Sequence, residues 1–246
     1  MNISIYGHDD DNGTYRVFFI IRLKIHFKNL VSSHLQEIVG AGVETTSAAI
    51  DWGMCEVLSN ERIARKLRDE LNEVVGREGY VTESHIPRLP YLRAIVKETL
   101  RMHPTAPLLM PHLSLDVCQD VGGYLIPKGT RLFVNAWAIG RDPTAWKDDP
   151  DKFLPERFLS DACSSMDVKG HHFELLPFGS GRRMCPSVNL AVPLVEVTIA
   201  NLVHAFDKWE LVLPRGKTTL DMSDECGIIL RRVNPLIAIP RKKVII

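Results

Sequence analysis

From Leu35 onward, the apolar and small residues Ile38, Val39, Gly42, Thr46, Ala49, Ile50, Gly53 and Val57 recur at spacings of three and four. That period places them on one face of a helix and predicts about six turns, ending near Ser59-Asn60. A second helix follows, with Ile63, Leu67, Leu71, Val74 and Val75 on one face, and stops before Gly76. Its charges, Arg62 through Glu73, form a solvated face. A third helix runs from about Pro90 to Met102 and is stopped by Pro104. Beyond it, Gly122, Gly123, Pro127 and Gly129 punctuate short β-prone pieces, Tyr124 to Ile126 and Arg131 to Val134. Residues 141–176 are rich in Pro, Asp and Ser with little period, and read as irregular. The apolar run Val188 to Phe206 predicts one more helix, which Pro193 should either kink or destabilise by about 3 kcal/mol. Short strands are expected around Trp209 to Val212 and Leu236 to Ile239. The fold class is mainly α with a minor β component, and no boundary separates independent domains.

Composition narrows the function classes. A chain of 246 residues with 45% hydrophobic content can bury a substantial core. Zero formal net charge gives no general electrostatic case for nucleic acid as a partner. Five cysteines without a C-x-x-C pair argue against a disulfide framework and a structural zinc site, and fit a reducing environment. Residues 1–16 are polar, and the apolar stretch Val17 to Val31 is interrupted by Arg22, Lys24, His26 and Lys28. A spanning helix needs about 20 mostly uncharged apolar residues, so no membrane anchor and no signal peptide is expected here.

The densest chemistry lies in Phe178-Gly179-Ser180-Gly181-Arg182-Arg183-Met184-Cys185-Pro186. A single cysteine stands at the mouth of the predicted helix, with Cys185 near the N-cap and Pro186 near the first helical position. The positive helix end and the neighbouring guanidinium groups stabilise a negatively charged sulfur, which suits a nucleophile or a soft metal ligand. The glycines let the backbone pass close to a flat, bulky partner, and an arginine beside the sulfur suits an anionic group on that partner. Haem, with its iron and two propionates, meets all three conditions. A buried, inert cysteine beside a glycine turn is the plain structural alternative.

Phe178, Gly181, Arg183 and Cys185, in that order, resemble the F-x-x-G-x-R-x-C cysteine loop of the cytochrome P-450 monooxygenases. The resemblance implies that Cys185 is the proximal iron ligand, that Arg183 binds a haem propionate and that Phe178 shields the sulfur. One departure is visible: the family usually has glycine two residues past the cysteine, where this chain has Ser187.

Three more stretches can be read twice. In Gly40 to Thr46, small residues leave a groove and Thr45 can bond the carbonyl of Ala41, locally widening the helix. By itself this is close helix packing, but it also resembles the family's A-G-x-[DE]-T-[ST] segment over the distal haem face. That resemblance implies that Thr45 and Glu44 deliver protons to iron-bound dioxygen. Glu98 and Arg101 share a helix face at i, i+3, ordinarily a weak surface pair. Ala94 and Ile95 on the same side hint at burial. With Phe153-Leu154-Pro155-Glu156-Arg157-Phe158 they resemble the family's E-x-x-R and P-E-R-F pieces, which implies one buried network of Glu98, Arg101 and Arg157. The proline-stiffened segment His103 to His112 resembles the one along the haem edge. It implies that Thr105, Leu108 and Leu109 face substrate and that His112 meets a propionate, although a surface histidine is an equal reading. Ile228, in the tail turn from Cys226, and Ala41 complete the implied substrate pocket, which is apolar.

The resemblance covers residues 29–246, with residues 1–28 as a non-matching leader. It implies the C-terminal half of the cytochrome P-450 fold, helix I through helix L and the terminal β pieces. The motifs look most like those of plant microsomal members, which act in plant secondary metabolism. What the resemblance implies is a haem-thiolate monooxygenase holding haem b and using O2. Its electrons would come from NADPH through a reductase, and one oxygen atom would enter an apolar small molecule. The family is found at the cytosolic face of the endoplasmic reticulum membrane. The chain is about half a typical member's length, so a truncated form is expected. The rival expectation is a non-catalytic haem-binding or degenerate fragment.

Overall fold

The computed structural model of the chain describes residues 5–9, 15–19, 30–76, 79–147, 149–211, 213 and 218–242. Strands β1 (Ile5–Asp9) and β2 (Tyr15–Phe19) pair antiparallel, with Gly7 opposite Val17. Three helices follow: α1 (Leu30–Ser59), α2 (Glu61–Val75) and α3 (Pro90–Met102). The helix α1 begins five residues ahead of the periodic pattern, because Leu30 to His34 contains no Gly or Pro and extending a formed helix costs little. Asn60 separates α1 from α2 and accepts from the backbone N–H groups of Arg62 and Ile63, satisfying two orphan donors of the new helix. Pro90 opens α3 at a position where its missing N–H costs nothing.

Short antiparallel pieces come next: β3 (His112–Leu113), β4 (Cys118–Val121), β5 (Tyr124–Ile126) and β6 (Arg131–Leu132). The hairpin β4–β5 turns at Gly122 and Gly123, both at positive φ, and β3 pairs with β6 through His112 opposite Leu132. After the single turn α4 (Ala136–Ile139), the chain runs irregularly as far as Ser187, apart from short 3-10 turns such as Pro155–Leu159. Helix α5 (Val188–His204) leads to β7 (Phe206–Leu211), β8 (Asp224–Cys226), β9 (Leu230–Arg232) and β10 (Ala238–Lys242). Strand β7 pairs with β10, and β8 with β9, so among the described residues every sheet has two strands.

Helices α1, α2, α3 and α5 share one core. Val57 of α1, Leu67 and Leu71 of α2, Leu92 and Ile95 of α3 and Ile199 of α5 are all fully buried in it. Helix α5 continues through Pro193, which leaves the carbonyl of exposed Asn189, four residues earlier, without its helical donor.

The mouth of α5 lies close to its expected place. Its N-cap is Ser187, whose carbonyl accepts from Leu190 (2.9 Å) and Ala191 (2.8 Å), so Pro186 directly precedes the cap and Cys185 precedes Pro186. The Cys185 N–H points back to the carbonyl of Phe178 at 3.0 Å, so the cysteine belongs to the loop.

Candidate functional site

The cysteine loop is shaped by its glycines. Gly179 (φ 75°) and Gly181 (φ 72°) lie in the left-handed region that side chains disfavour. Nothing lies within 4 Å of where a Cβ on Gly181 would stand. Backbone conformation alone demands glycine there, and the space beside it is open. Gly179 N–H donates to Leu176 O at 3.1 Å, and Met184 N–H to Gly181 O at 3.2 Å. Phe178 and Met184 are half-buried against the core, Arg182 and Arg183 are exposed, and Cys185 is half-buried with its Sγ 3.2 Å from Ser187 Oγ.

Behind the loop, Gly170 holds it in place. Gly170 is buried at φ 79°, and a Cβ there would stand 2.8 Å from Gly179 O and 2.9 Å from Ser180 Cα. Ser180 Oγ donates to Gly170 O at 2.7 Å. Sequence reasoning missed this contact, because Gly170 falls in a stretch without period; its one local signal is a glycine between Lys169 and His171.

Glu98, Arg101 and Arg157 meet, and all three are buried. Arg101 donates to Glu98 through Nε at 2.7 Å and Nη2 at 2.8 Å, the two-pronged pairing that fits a carboxylate. Arg157 Nε reaches Glu98 Oε1 at 3.0 Å, and Leu154 N–H reaches the same oxygen at 2.8 Å. The remaining guanidinium N–H groups donate to main-chain carbonyls: Arg101 to Gly140, Pro150 and Lys152, and Arg157 to Asp149 and Lys152. Arg101 also lies 5.1 Å from the centre of the buried Trp146 ring. The adjacent Glu156 is bound by Arg62, by Lys66 at 3.2 Å and by the Tyr91 hydroxyl at 3.2 Å. Burial raises its carboxyl, but the bonds from Arg62 and Lys66 outweigh that and bring it down to about 2.

Trp52 of α1 ties two other segments together. Its ring stacks on His103 with centroids 4.0 Å apart, and its Nε1–H donates to Leu230 O at 3.3 Å. His103 Nε2 lies 2.8 Å from Glu56 Oε1, and Leu230 N–H donates to Thr105 O at 2.9 Å. The segment of Thr105, Leu108 and Leu109 is thereby held beside the tail turn of Ile228. Leu109 adopts φ 49°, and its Cδ1 would be 3.6 Å from a Cβ on Gly179, so this segment also touches the cysteine loop. Leu108 is 44% and Ile228 80% exposed, Met110 is exposed two residues past Leu108, and Leu132, paired with His112, is exposed as well.

The first part of α1 stands apart from these contacts. Ala41 and Glu44 are exposed, and Thr45 Oγ1 donates back to Ala41 O at 2.6 Å. His112 is exposed in β3. Among the described residues, no three His, Cys, Asp or Glu side chains lie close enough together to hold a metal ion. One thiol, an open glycine-shaped surface and nearby cations fit a flat, anionic, iron-bearing macrocycle. No helix among the described residues is long and apolar enough to cross a membrane.

Comparison with known proteins agrees with this geometry. The family model for Cytochrome P450 matches residues 22–237. The chain is 49% identical over 210 residues to an iridoid oxidase of Catharanthus roseus, covering 85% of this chain and 40% of that protein. It is 43% identical over 240 residues to a 3,9-dihydroxypterocarpan 6A-monooxygenase of Glycine max, covering 98% of this chain and 44% of that protein. A solved zebra fish cytochrome P450 with abiraterone superposes with a TM-score of 0.70 at 32% identity, covering 83% of this chain and 46% of that one. The chain thus spans about two fifths of the length of the curated relatives it matches.

Proposed function

This chain belongs to the cytochrome P450 family, and we propose that it forms the thiolate-bearing side of a monooxygenase acting on an apolar small molecule. Haem b, held here, would supply the iron for O2 chemistry, with electrons from NADPH through a reductase. Cys185 Sγ would hold that iron. Phe178 covers the sulfur from the core side, and Gly181 leaves the surface bare so that backbone and macrocycle can approach. The Arg183 guanidinium and a His112 ring N–H would meet the propionates.

Thr45 holds a proton at Oγ1. Because its own hydrogen is turned to Ala41 O, the oxygen keeps lone pairs free to accept from a donor on the reaction side. Glu44, exposed on the preceding position, relays the proton from solvent. Ala41, Thr105, Leu108, Leu109 and Ile228 form apolar walls, and the oxygenations in the relatives' names support a plant secondary metabolite as the substrate class.

The observation that carries this reading is a half-buried thiol on an open glycine loop, backed by the buried Glu98, Arg101 and Arg157 network. The test is the ferrous–carbon monoxide spectrum of the chain loaded with haem. The red-shifted Soret band of thiolate ligation is expected from the unaltered chain and not from Cys185→Ala. A band that survives in Cys185→Ala overturns the assignment.

A further inference from the structure

We propose that the Ser187 hydroxyl donates a hydrogen bond to the Cys185 sulfur and so sets how strongly that sulfur donates electrons to an iron bound on it. The inference rests on the reading of Cys185 as axial ligand. Ser187 is the N-cap of α5, where a serine side chain ordinarily accepts from the second or third N–H of the helix. Here its side chain makes no capping hydrogen bond. The hydroxyl is turned the other way and lies 3.2 Å from Cys185 Sγ. The backbone beneath it is fixed, since the Ser187 carbonyl accepts from Leu190 at 2.9 Å and Ala191 at 2.8 Å. At φ −94° and ψ 10° the residue lies in the bridge region, where φ is negative and an L-amino acid is accommodated. No conformational demand for glycine exists at this position, although glycine is what the cysteine-loop pattern usually carries there.

The chemistry sets the direction of the bond. A sulfur bound to iron carries no proton and can only accept, so the hydroxyl is the donor. A donor aimed at a ligating sulfur withdraws negative charge from it, weakens its donation to the metal and favours the more electron-rich oxidation state. The ferrous form gains relative to the ferric form, and the reduction potential rises. The same bond restrains rotation of the cysteine side chain and keeps Sγ aimed over the loop.

The experiment compares the haem-loaded chain with Ser187→Gly, Ser187→Ala and Ser187→Thr, by potentiometric titration and by the C–O stretching frequency of the ferrous–carbon monoxide complex. Ser187→Gly and Ser187→Ala are expected to shift the potential to more negative values and lower the C–O stretch. Ser187→Thr, which keeps the hydroxyl, should stay with the unaltered chain on both. Coinciding potentials and stretches in all four proteins overturn the proposal. It is equally overturned if Ser187→Gly takes up haem where the unaltered chain does not, because Ser187 is then a steric block. Absence of the red-shifted band from both the unaltered chain and Ser187→Gly sinks the axial-ligand reading itself and takes this inference with it.

Discussion

Arg157 donates to Glu98 across 3.0 Å, although the two stand 59 residues apart in the chain. Glu98 is held on the other side by Arg101, and all three are buried, so removing Glu98 leaves two guanidinium charges in the core without their carboxylate, whereas removing Arg157 leaves a balanced pair and strips Glu98 and two carbonyls of a donor. Glu98→Ala should cost about 3–5 kcal/mol in urea unfolding, and Arg157→Ala about 1.5–3 kcal/mol. Arg157→Lys should recover little of that, since an ammonium cannot serve Glu98 and two carbonyls from one planar group. A loss below about 1 kcal/mol in Arg157→Ala, the range of exposed pairs, would mean that the network is not closed in solution.

Gly170→Ala should be among the most damaging single-methyl additions in the chain. The new Cβ would meet main-chain atoms of Gly179 and Ser180 at 2.8 and 2.9 Å, and main chain cannot swing aside as a side-chain tip can. With the positive φ added, a loss of about 2–4 kcal/mol is expected. Ser180→Ala removes only the bond to Gly170 O and should cost about 1 kcal/mol. Amide hydrogen exchange across 178–185 should rise in both variants and stay unchanged across α3.

Glu196, buried on α5, gives the fold a measurable pH dependence. Burial raises its carboxyl from 4.5 to about 7, with Arg93 and Lys97 only partly offsetting the effect. The folded state then holds this proton more tightly than the unfolded chain, so stability is greatest below about pH 4.5 and declines as pH rises through about 7. Each tenfold change in proton affinity is worth about 1.4 kcal/mol, so the span is on the order of 3 kcal/mol. Glu196→Gln should flatten this contribution and exceed the unaltered chain in stability at about pH 8. Parallel pH profiles for the two proteins would rule it out.

Trp52→Phe retains a stacking ring for His103 but strips Leu230 O of its donor. A loss of about 1–2 kcal/mol is expected by thermal unfolding. Trp52→Leu, which also loses the stacked ring, should cost about 3 kcal/mol or more. Equal losses in both would show that the N–H carries nothing beyond the volume of the ring.

Local pattern carried the helices well. The ends of α3 follow from Pro90 and the Pro104 stop, and α2 ends at Gly76 where its apolar face ends. The pairing of Glu98 with Arg101 was also legible, because i, i+3 spacing is itself a geometric statement. Arg157 as its partner came through the family resemblance, but the carbonyl contacts were not legible. The guanidinium groups of Arg101 and Arg157 turn to carbonyls in a stretch without periodicity, and main-chain acceptors have no signature in side-chain identity. Gly170 and Trp52 escaped for a related reason. Each acts through contact with a segment remote in sequence, and neither spacing nor composition encodes which segment that is. The start of α5 at Val188 coincides with the start of the apolar run, and Cys185, two residues before the N-cap, is tied back to the loop by its N–H on the Phe178 carbonyl.

The way Arg101 and Arg157 grip Gly140, Asp149, Pro150 and Lys152 separates two kinds of evolutionary freedom. Each grip is on a carbonyl oxygen, which every amino acid supplies. Exposed side chains between Gly140 and Lys152 can therefore change while the arginines keep their partners. Buried Trp146, which packs on Arg101, and Gly140, where a Cβ would collide with the Arg101 carbonyl, are exceptions. The number of residues has less latitude: one deleted between Gly140 and Lys152 would draw these carbonyls away from the two arginines. Over this segment the grip constrains chain length more strictly than side-chain chemistry.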